Sequence, residues 1–203
     1  MFKVVSSLGE VIVNFFKDFR KEFKSIKKMG IKRQIPNLLT LSRGLAPIVI
    51  IPTILFNKLY LVIILLNIFA LTDFLDGKIA RKYNLVSEFG VKLDAVCDKI
   101  FAISLIIPAI INHKIFIFNF VMEIAISYMN LLSYTKGNNP RSTIIGKIKT
   151  ALLSLTLILA YIPNMNNLVI FIFSLITIIC QVITLIKYIN TDMEMDKKKK
   201  SSS

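Results

Sequence analysis

Residues 73–98 read DFLDGKIARKYNLVSEFGVKLDAVCD and place four aspartates, Asp73, Asp76, Asp94 and Asp98, at the inner edges of two hydrophobic runs. Residues 59–72 before the stretch and 100–111 after it carry no charge at all. A charged side chain costs roughly 2.5–3.5 kcal/mol at the centre of an inserted helix, and like charges held together also repel. The stretch therefore predicts two apolar helices that turn near Asn84, each bearing an acidic pair at the end nearest the turn.

The remainder of the chain repeats the apolar theme. Of 203 residues 55% are hydrophobic, gathered into runs rather than spread as a 3.6-residue stripe, which is the pattern of membrane helices. Six spans are expected, at 38–56, 59–82, 89–112, 115–136, 144–163 and 167–189. Each is long enough for a hydrocarbon core about 30 Å thick. Turn signals fall between them at Asn57-Lys58, Asn84, Asn112-His113-Lys114, Gly137-Asn138-Asn139-Pro140 and Pro163-Asn164. The expected fold class is all-α, an integral membrane bundle of six transmembrane helices with an N-terminal interfacial amphipathic helix.

The 26 Lys and Arg outweigh the 12 Asp and Glu. They flank the apolar runs, so they speak for orientation and for anionic lipid rather than for nucleic acid. Nine lie before Pro36, four in 78–92, four in 136–149, and Lys197 to Lys200 end the tail, whereas the alternate joints hold Lys58, Lys114 and then none. The positive-inside rule puts both termini and the acidic pairs on the cytoplasmic side. Cys97 and Cys180 lie far apart without zinc-type spacing, so neither a disulfide nor a zinc site is expected. His113 stands alone at a span end and is assigned a structural role.

Residues 1–34 lack the small-residue cleavage site of a signal peptide. Val5, Leu8, Ile12, Phe15, Phe19, Phe23 and Ile26 recur at helical steps, and Lys17, Arg20, Lys21, Lys24, Lys27 and Lys28 fill much of the rest. This predicts a helix in the cytoplasmic interface; a soluble amphipathic helix packed on the body is the alternative. Residues 35–190 form the membrane domain, and 191–203 are expected to be a disordered tail.

Spacing shows how the aspartates are compensated. Asp73 and Asp76 are i, i+3, and Asp94 and Asp98 are i, i+4, so each pair shares a helix face. Gly77, Ala80 and Gly90 let helices or a ligand approach closely. Facing pairs would enclose a hard-cation site, and two divalent ions balance four carboxylates. Oxygen-only ligands favour Mg²⁺, Mn²⁺ or Ca²⁺ over zinc. Ion pairing with Lys78, Arg81, Lys92 and Lys99 is the plainer alternative.

Asp73-x-x-Asp76-Gly77-x-x-Ala80-Arg81, eight residues, then Gly90-x-x-x-Asp94-x-x-x-Asp98 matches the signature of the CDP-alcohol phosphatidyltransferase family at every defined position. The resemblance implies a six-span, typically homodimeric membrane enzyme of phospholipid synthesis that uses CDP-diacylglycerol and a small alcohol acceptor. It implies that Asp73, Asp76 and Asp94 hold Mg²⁺ or Mn²⁺, two ions in all, and that Asp98 completes the cluster and acts as general base. Gly77 and Ala80 would leave room for the nucleotide and Arg81 would brace the diphosphate. IPNLLTLSR, residues 35–43, looks like the opening of the first span in phosphatidylglycerophosphate synthases and in mitochondrial-type cardiolipin synthases, with Asn37, Thr40 and Arg43 as CDP-diacylglycerol contacts. Helix capping after Pro36 is the other reading of Asn37 and Thr40.

IIGKIKT, residues 144–150, resembles the same synthases at the fifth span. Lys147 and Lys149 lie about 200° apart on a helix, so one would hold the acceptor's phosphate while the other reaches lipid; each alone also reads as an interface anchor. On the fourth span those synthases carry an Arg-Glu pair and a second Arg two turns on. Here Glu123 is present, but Met122 and Asn130 stand at the arginine positions. Lys136, Arg141, Lys147 or Lys149 are the candidates to replace that charge. The expected acceptor is glycerol 3-phosphate, giving phosphatidylglycerol phosphate. Other acceptors are phosphatidylglycerol (giving cardiolipin), inositol or its phosphate, and serine. A divalent-cation membrane transporter and an inactive relative are the rivals from other classes.

Overall fold

A computed structural model describes residues 9, 13–22, 24, 34–136, 138 and 144–201. Among them there is no strand. The helices are α1 (13–22), α2 (Ile35–Leu45), α3 (Pro47–Leu55), α4 (Leu59–Lys82), α5 (Glu88–Asn112), α6 (Phe116–Thr135), α7 (Ile144–Tyr161) and α8 (Asn167–Ser201). Among the described residues five stretches are long and apolar enough to cross a membrane: Ile35–Leu55, Leu59–Lys82, Phe116–Ser133, Ile144–Tyr161 and Asn167–Lys197. This is an integral, multi-pass membrane protein. The 25-residue α5, expected as a sixth span, is not among the five.

The joints fall where the asparagines predict them. Asn57, Asn84 and Asn164 have φ of 55°, 52° and 59°, the left-handed region that asparagine tolerates better than most side chains. The expected first span is broken at Ala46 into α2 and α3. Pro47 has no N–H to offer the Arg43 carbonyl one turn back, and Ala46 N donates to that oxygen instead, at 3.2 Å. At the head of α5 the Ser87 hydroxyl caps the helix by accepting from Gly90 N at 2.9 Å.

Two compact units divide the described chain, one of residues 9–108 and one from residue 109 onward. In the first, α2 and α3 pack on α4. α1 lays Phe15 and Phe19 against Phe89, Leu93 and Cys97 of α5, while Val13 and Phe16 stay exposed. Val5, Leu8, Ile12, Phe23, Ile26, Lys27 and Lys28 lie outside the described residues.

In the second unit α8 packs on both α6 and α7. Its Ser174, Thr177 and Gln181 face them at helical spacing. Asn119 donates to Ser174 at 2.5 Å, Thr156 and Thr177 share a hydrogen bond of 2.9 Å, and Gln181 donates to Glu123 at 3.1 Å. Buried side-chain hydrogen bonds of this kind join helices where lipid tails are as apolar as leucine.

The tail departs from expectation. Residues 191–201 continue α8 as helix because they have partners. Lys136 donates to Asp192 at 2.5 Å and to Asp196 at 2.9 Å, and Asn138 donates to both carboxylates at 2.9 Å. These bonds hold the Lys136 ammonium above its ordinary pKa. His113 rests 6.3 Å from the Phe116 ring, and burial lowers its imidazole pKa. Both cysteines are free.

Candidate metal and nucleotide site

The four aspartates come together around one guanidinium. Arg43, on α2, hydrogen-bonds Asp73 of α4 and Asp94 of α5. Its Nη1 lies 3.6 Å from Asp76, and its Nε lies 2.8 Å from Asp98 Oδ1 but off the line a hydrogen bond needs. Arg43 is 2% exposed, so water does little to solvate this charge. The sequence placed Arg43 among nucleotide contacts and looked to two divalent ions for compensating charge, with Lys78, Arg81, Lys92 and Lys99 as the alternative; it is Arg43 that meets the four carboxylates. Lys78 instead lies over the Phe74 ring, and Lys92 reaches Asp18 at 3.6 Å.

The burial is uneven. Asp76 is 6% exposed and accepts a 2.9 Å hydrogen bond from Thr40, whose hydroxyl also lies 3.1 Å from the Pro36 carbonyl. Asp73, Asp94 and Asp98 keep about half their side-chain surface open. The open carboxylates are thus available to a ligand, while Asp76 is held from behind.

The donor set fits a divalent cation. One carboxylate oxygen from each of Asp73, Asp76 and Asp94 lies within 4.8 Å of the other two. Oxygens that share one ion at about 2.1–2.5 Å stand no more than about 4–5 Å apart. Three carboxylates suit Mg²⁺, Mn²⁺ or Ca²⁺ rather than a metal that prefers nitrogen or sulfur. Asp98 stands outside this triad but shares its guanidinium.

A cavity of about 180 Å³ adjoins the triad, and its wall includes Asn37, Thr40, Asp76, Gly77, Ala80, Arg81 and Asp94. Each of these was singled out from the sequence. Pro36, Ser87 and Gly90 also contribute to it. A Cβ on Gly90 would stand 2.9 Å from Asn37 Oδ1 and 3.1 Å from Ser87 Oγ, so a larger residue there would push both side chains aside at the cavity wall. A Cβ on Gly77 would meet the Arg81 guanidinium at 3.3 Å. Asn37 in turn donates to Gln34 Oε1 at 2.8 Å, and Gln34 donates to Glu22 of α1 at 3.1 Å. Gln34 stood in no motif, and no pattern in the sequence marks it.

The residues expected at the acceptor belong to the second unit. Lys149 and Glu123 are buried together, joined at 2.5 Å. Lys147 is exposed, as the 200° separation predicts. Arg141 lies outside the described residues. Met122 and Asn130 are half-buried.

Comparison with known proteins bears on this arrangement. The profile of the CDP-alcohol phosphatidyltransferase family matches residues 33–186. A CDP-diacylglycerol–glycerol-3-phosphate 3-phosphatidyltransferase of Rickettsia bellii is 45% identical over 75 residues, 36% of this chain and 41% of that protein. This chain therefore aligns with about two-fifths of that relative's length. The Aquifex aeolicus protein of the same name is 30% identical over 139 residues, 66% of this chain and 78% of its own. The crystal structure of Mycobacterium tuberculosis phosphatidylinositol phosphate synthase, in complex with manganese and citrate, superposes with a TM-score of 0.59 at 19% identity. It covers 84% of this chain and 86% of that one. At that identity the likeness is one of fold.

Proposed function

Because the chain belongs to the CDP-alcohol phosphatidyltransferase family, we propose that it transfers the phosphatidyl group of CDP-diacylglycerol to glycerol 3-phosphate, yielding phosphatidylglycerol phosphate and CMP. The carrying observation is the meeting of Asp73, Asp76, Asp94 and Asp98 at one cation-binding point beside the Asn37–Thr40–Gly77 cavity.

Four carboxylates against one guanidinium leave a net charge of −3 at this point. Asp73, Asp76 and Asp94 would hold Mg²⁺ or Mn²⁺, with Asp98 completing a set for two ions. The manganese of the Mycobacterium structure supports this assignment by analogy of fold. Bound there, divalent ions supply Lewis-acid polarisation of the diphosphate and charge for the departing CMP. The protein's own groups do the rest. Asp98 takes the proton of the acceptor hydroxyl as its oxygen bonds to the phosphatidyl phosphorus and the bond from that phosphorus to CMP breaks. Asn37, Thr40 and Arg81 orient the nucleotide and diphosphate as amide, hydroxyl and guanidinium donors, and Gly77 and Ala80 leave it space. Arg43 keeps the carboxylates gathered and offers its charge to the phosphates.

Lys149, Lys147, Arg141 and Glu123 are assigned to the acceptor. The names of the Rickettsia and Aquifex relatives favour glycerol 3-phosphate. Met122 and Asn130, in place of arginines, favour the second reading, an acceptor with less charge. The same proposal makes α5 the sixth span, since residues 95–112 carry only Asp98 and Lys99 as charges. It also places both termini in the cytoplasm and the enzyme in a homodimer.

The test is direct. Purified protein with Mg²⁺ or Mn²⁺ and CDP-diacylglycerol is offered each acceptor in turn, and the lipid product is identified by mass spectrometry. CMP release with glycerol 3-phosphate and the mass of phosphatidylglycerol phosphate are expected. No CMP with any acceptor overturns the transferase reading, and Mn²⁺ flux into liposomes in its place would establish the transporter.

A further inference from the structure

We propose that α1 is a two-faced strut, its outer face docking an anionic lipid surface and its inner face bracing the substrate cavity. The helix sorts its charge by side. Residues 15, 18, 19 and 22, spaced i, i+3, i+4 and i+7, are half-buried, and the other described residues of the helix are exposed. Both acids turn inward: Asp18 pairs with Lys92 at 3.6 Å and Glu22 accepts from Gln34 at 3.1 Å. The exposed side holds Lys17, Arg20 and Lys21, followed by exposed Lys24. Val13 and Phe16 stand among them, 51% and 64% exposed.

Among the described residues of this side, four cations, two bare apolar side chains and no carboxylate make up the chemistry of a helix seated at lipid headgroups. The cations meet phosphates while Val13 and Phe16 enter the acyl boundary. Each basic residue near an anionic surface adds about a fivefold preference for it. A nucleic acid would also meet the cations, but it has no place for Val13 and Phe16.

Two links run inward from the same helix. Phe15 stacks on Phe89 at 6.0 Å between centroids, and Phe19 meets it edge-on at 6.1 Å. Leu93 and Cys97 complete this cluster, each directly before a site aspartate. The second link is the chain Glu22–Gln34–Asn37, which ends on the cavity wall. The docked helix is the form that lines its cations up on one side. A surface that prefers this form stabilises the braced cavity, and the coupling is reciprocal. The effect on rate rests on the transferase reading; the docking does not.

The experiment uses the full chain in phosphatidylcholine vesicles with or without added phosphatidylserine, followed by hydrogen exchange and by CMP release. Phosphatidylserine is expected to slow exchange across 13–22 several-fold and to raise the rate several-fold. High salt should reverse both. Replacing Lys17, Arg20, Lys21 and Lys24 together by Gln should remove both responses while leaving the rate in neutral vesicles unchanged. Gln34→Ala should keep the exchange response and lose the rate response. Exchange at 13–22 indifferent to phosphatidylserine, or a quadruple variant that responds like the wild type, overturns the docking surface. A rate response preserved in Gln34→Ala overturns the brace. An intact exchange response with no CMP formed under any condition leaves the docking standing and removes the transferase.

Discussion

The Thr40 hydroxyl donates to Asp76 Oδ2 at 2.9 Å, joining α2 to the buried aspartate of α4. It orients the innermost carboxylate of the triad and leaves the other oxygen for a ligand. Groups that steer metal ligands from behind are typically worth about 10–100-fold in affinity or activity. Thr40→Val keeps the shape and loses the donor, so Mn²⁺ binding should weaken by about tenfold, and Thr40→Ser should restore most of it. Titration of the purified protein with Mn²⁺, read by electron paramagnetic resonance, checks the pair; equal affinity in Thr40→Val would remove the orienting role.

Arg43 sets a cation against all four aspartates. Removing the cation leaves the carboxylates to repel one another, but Asp76 alone of the four is buried, so the cost falls below the roughly 3–5 kcal/mol of a fully buried pair. Arg43→Gln should therefore lower the melting temperature in EDTA. Mn²⁺ should narrow the gap to wild type, since a ligand of the folded state stabilises it by mass action. Thermal scans with and without Mn²⁺ measure this, and a gap that Mn²⁺ leaves unchanged would contradict a shared cation site.

Asp98 separates from the other three in the same way on two counts. It lies outside the triad of mutually close oxygens, and it meets Arg43 without hydrogen-bond alignment. A group that completes the metal set from its edge and also takes the proton should matter more to turnover than to binding. Asp98→Asn is expected to retain Mn²⁺ and nucleotide affinity within a few-fold while CMP release falls by about 10²–10⁴. Wild-type turnover in this variant would refute the base assignment.

These sites differ in how far the sequence could carry them. The aspartate pairs, Gly77, Ala80 and Gly90 were legible because helix geometry turns spacing into a shared face, and hydrophobic flanks make buried charge conspicuous. The joints at Asn57, Asn84 and Asn164 were legible for a local reason, a left-handed backbone that few side chains accept. Arg43 was seen as a charge inside a span, but which groups it meets depends on how α2 packs across α4 and α5, and spacing along one helix cannot say. Gln34 and Ser87 act through neighbours brought close by the fold. The helical course of residues 191–201 was hidden because its partners, Lys136 and Asn138, lie more than fifty positions away. Polar composition alone reads as a tail.

Gly44 sets the distance between α2 and α5 at a point away from the cavity wall. A Cβ there would stand 2.7 Å from Cys97 Sγ and 3.4 Å from Cys97 Cβ. Gly44→Ala should destabilise by about 1–3 kcal/mol through overpacking, and Cys97→Ala added to it should recover most of the loss by removing the sulfur. A double-mutant cycle in detergent measures the coupling; additive losses would show that the two residues do not share this space.

Lys149 and Glu123 allow stability to be told apart from acceptor binding. Both are buried, 2.5 Å apart, and Gln181 also donates to the Glu123 carboxylate. Lys149→Met leaves that carboxylate without its cation and should cost about 3–5 kcal/mol. Lys149→Met with Glu123→Gln leaves no uncompensated charge and should regain most of the stability. If Lys149 also serves the acceptor, this stable double variant will show a raised KM for glycerol 3-phosphate with little change for CDP-diacylglycerol. An unchanged acceptor KM would reduce the pair to a helix-joining contact and move the acceptor's phosphate to other residues.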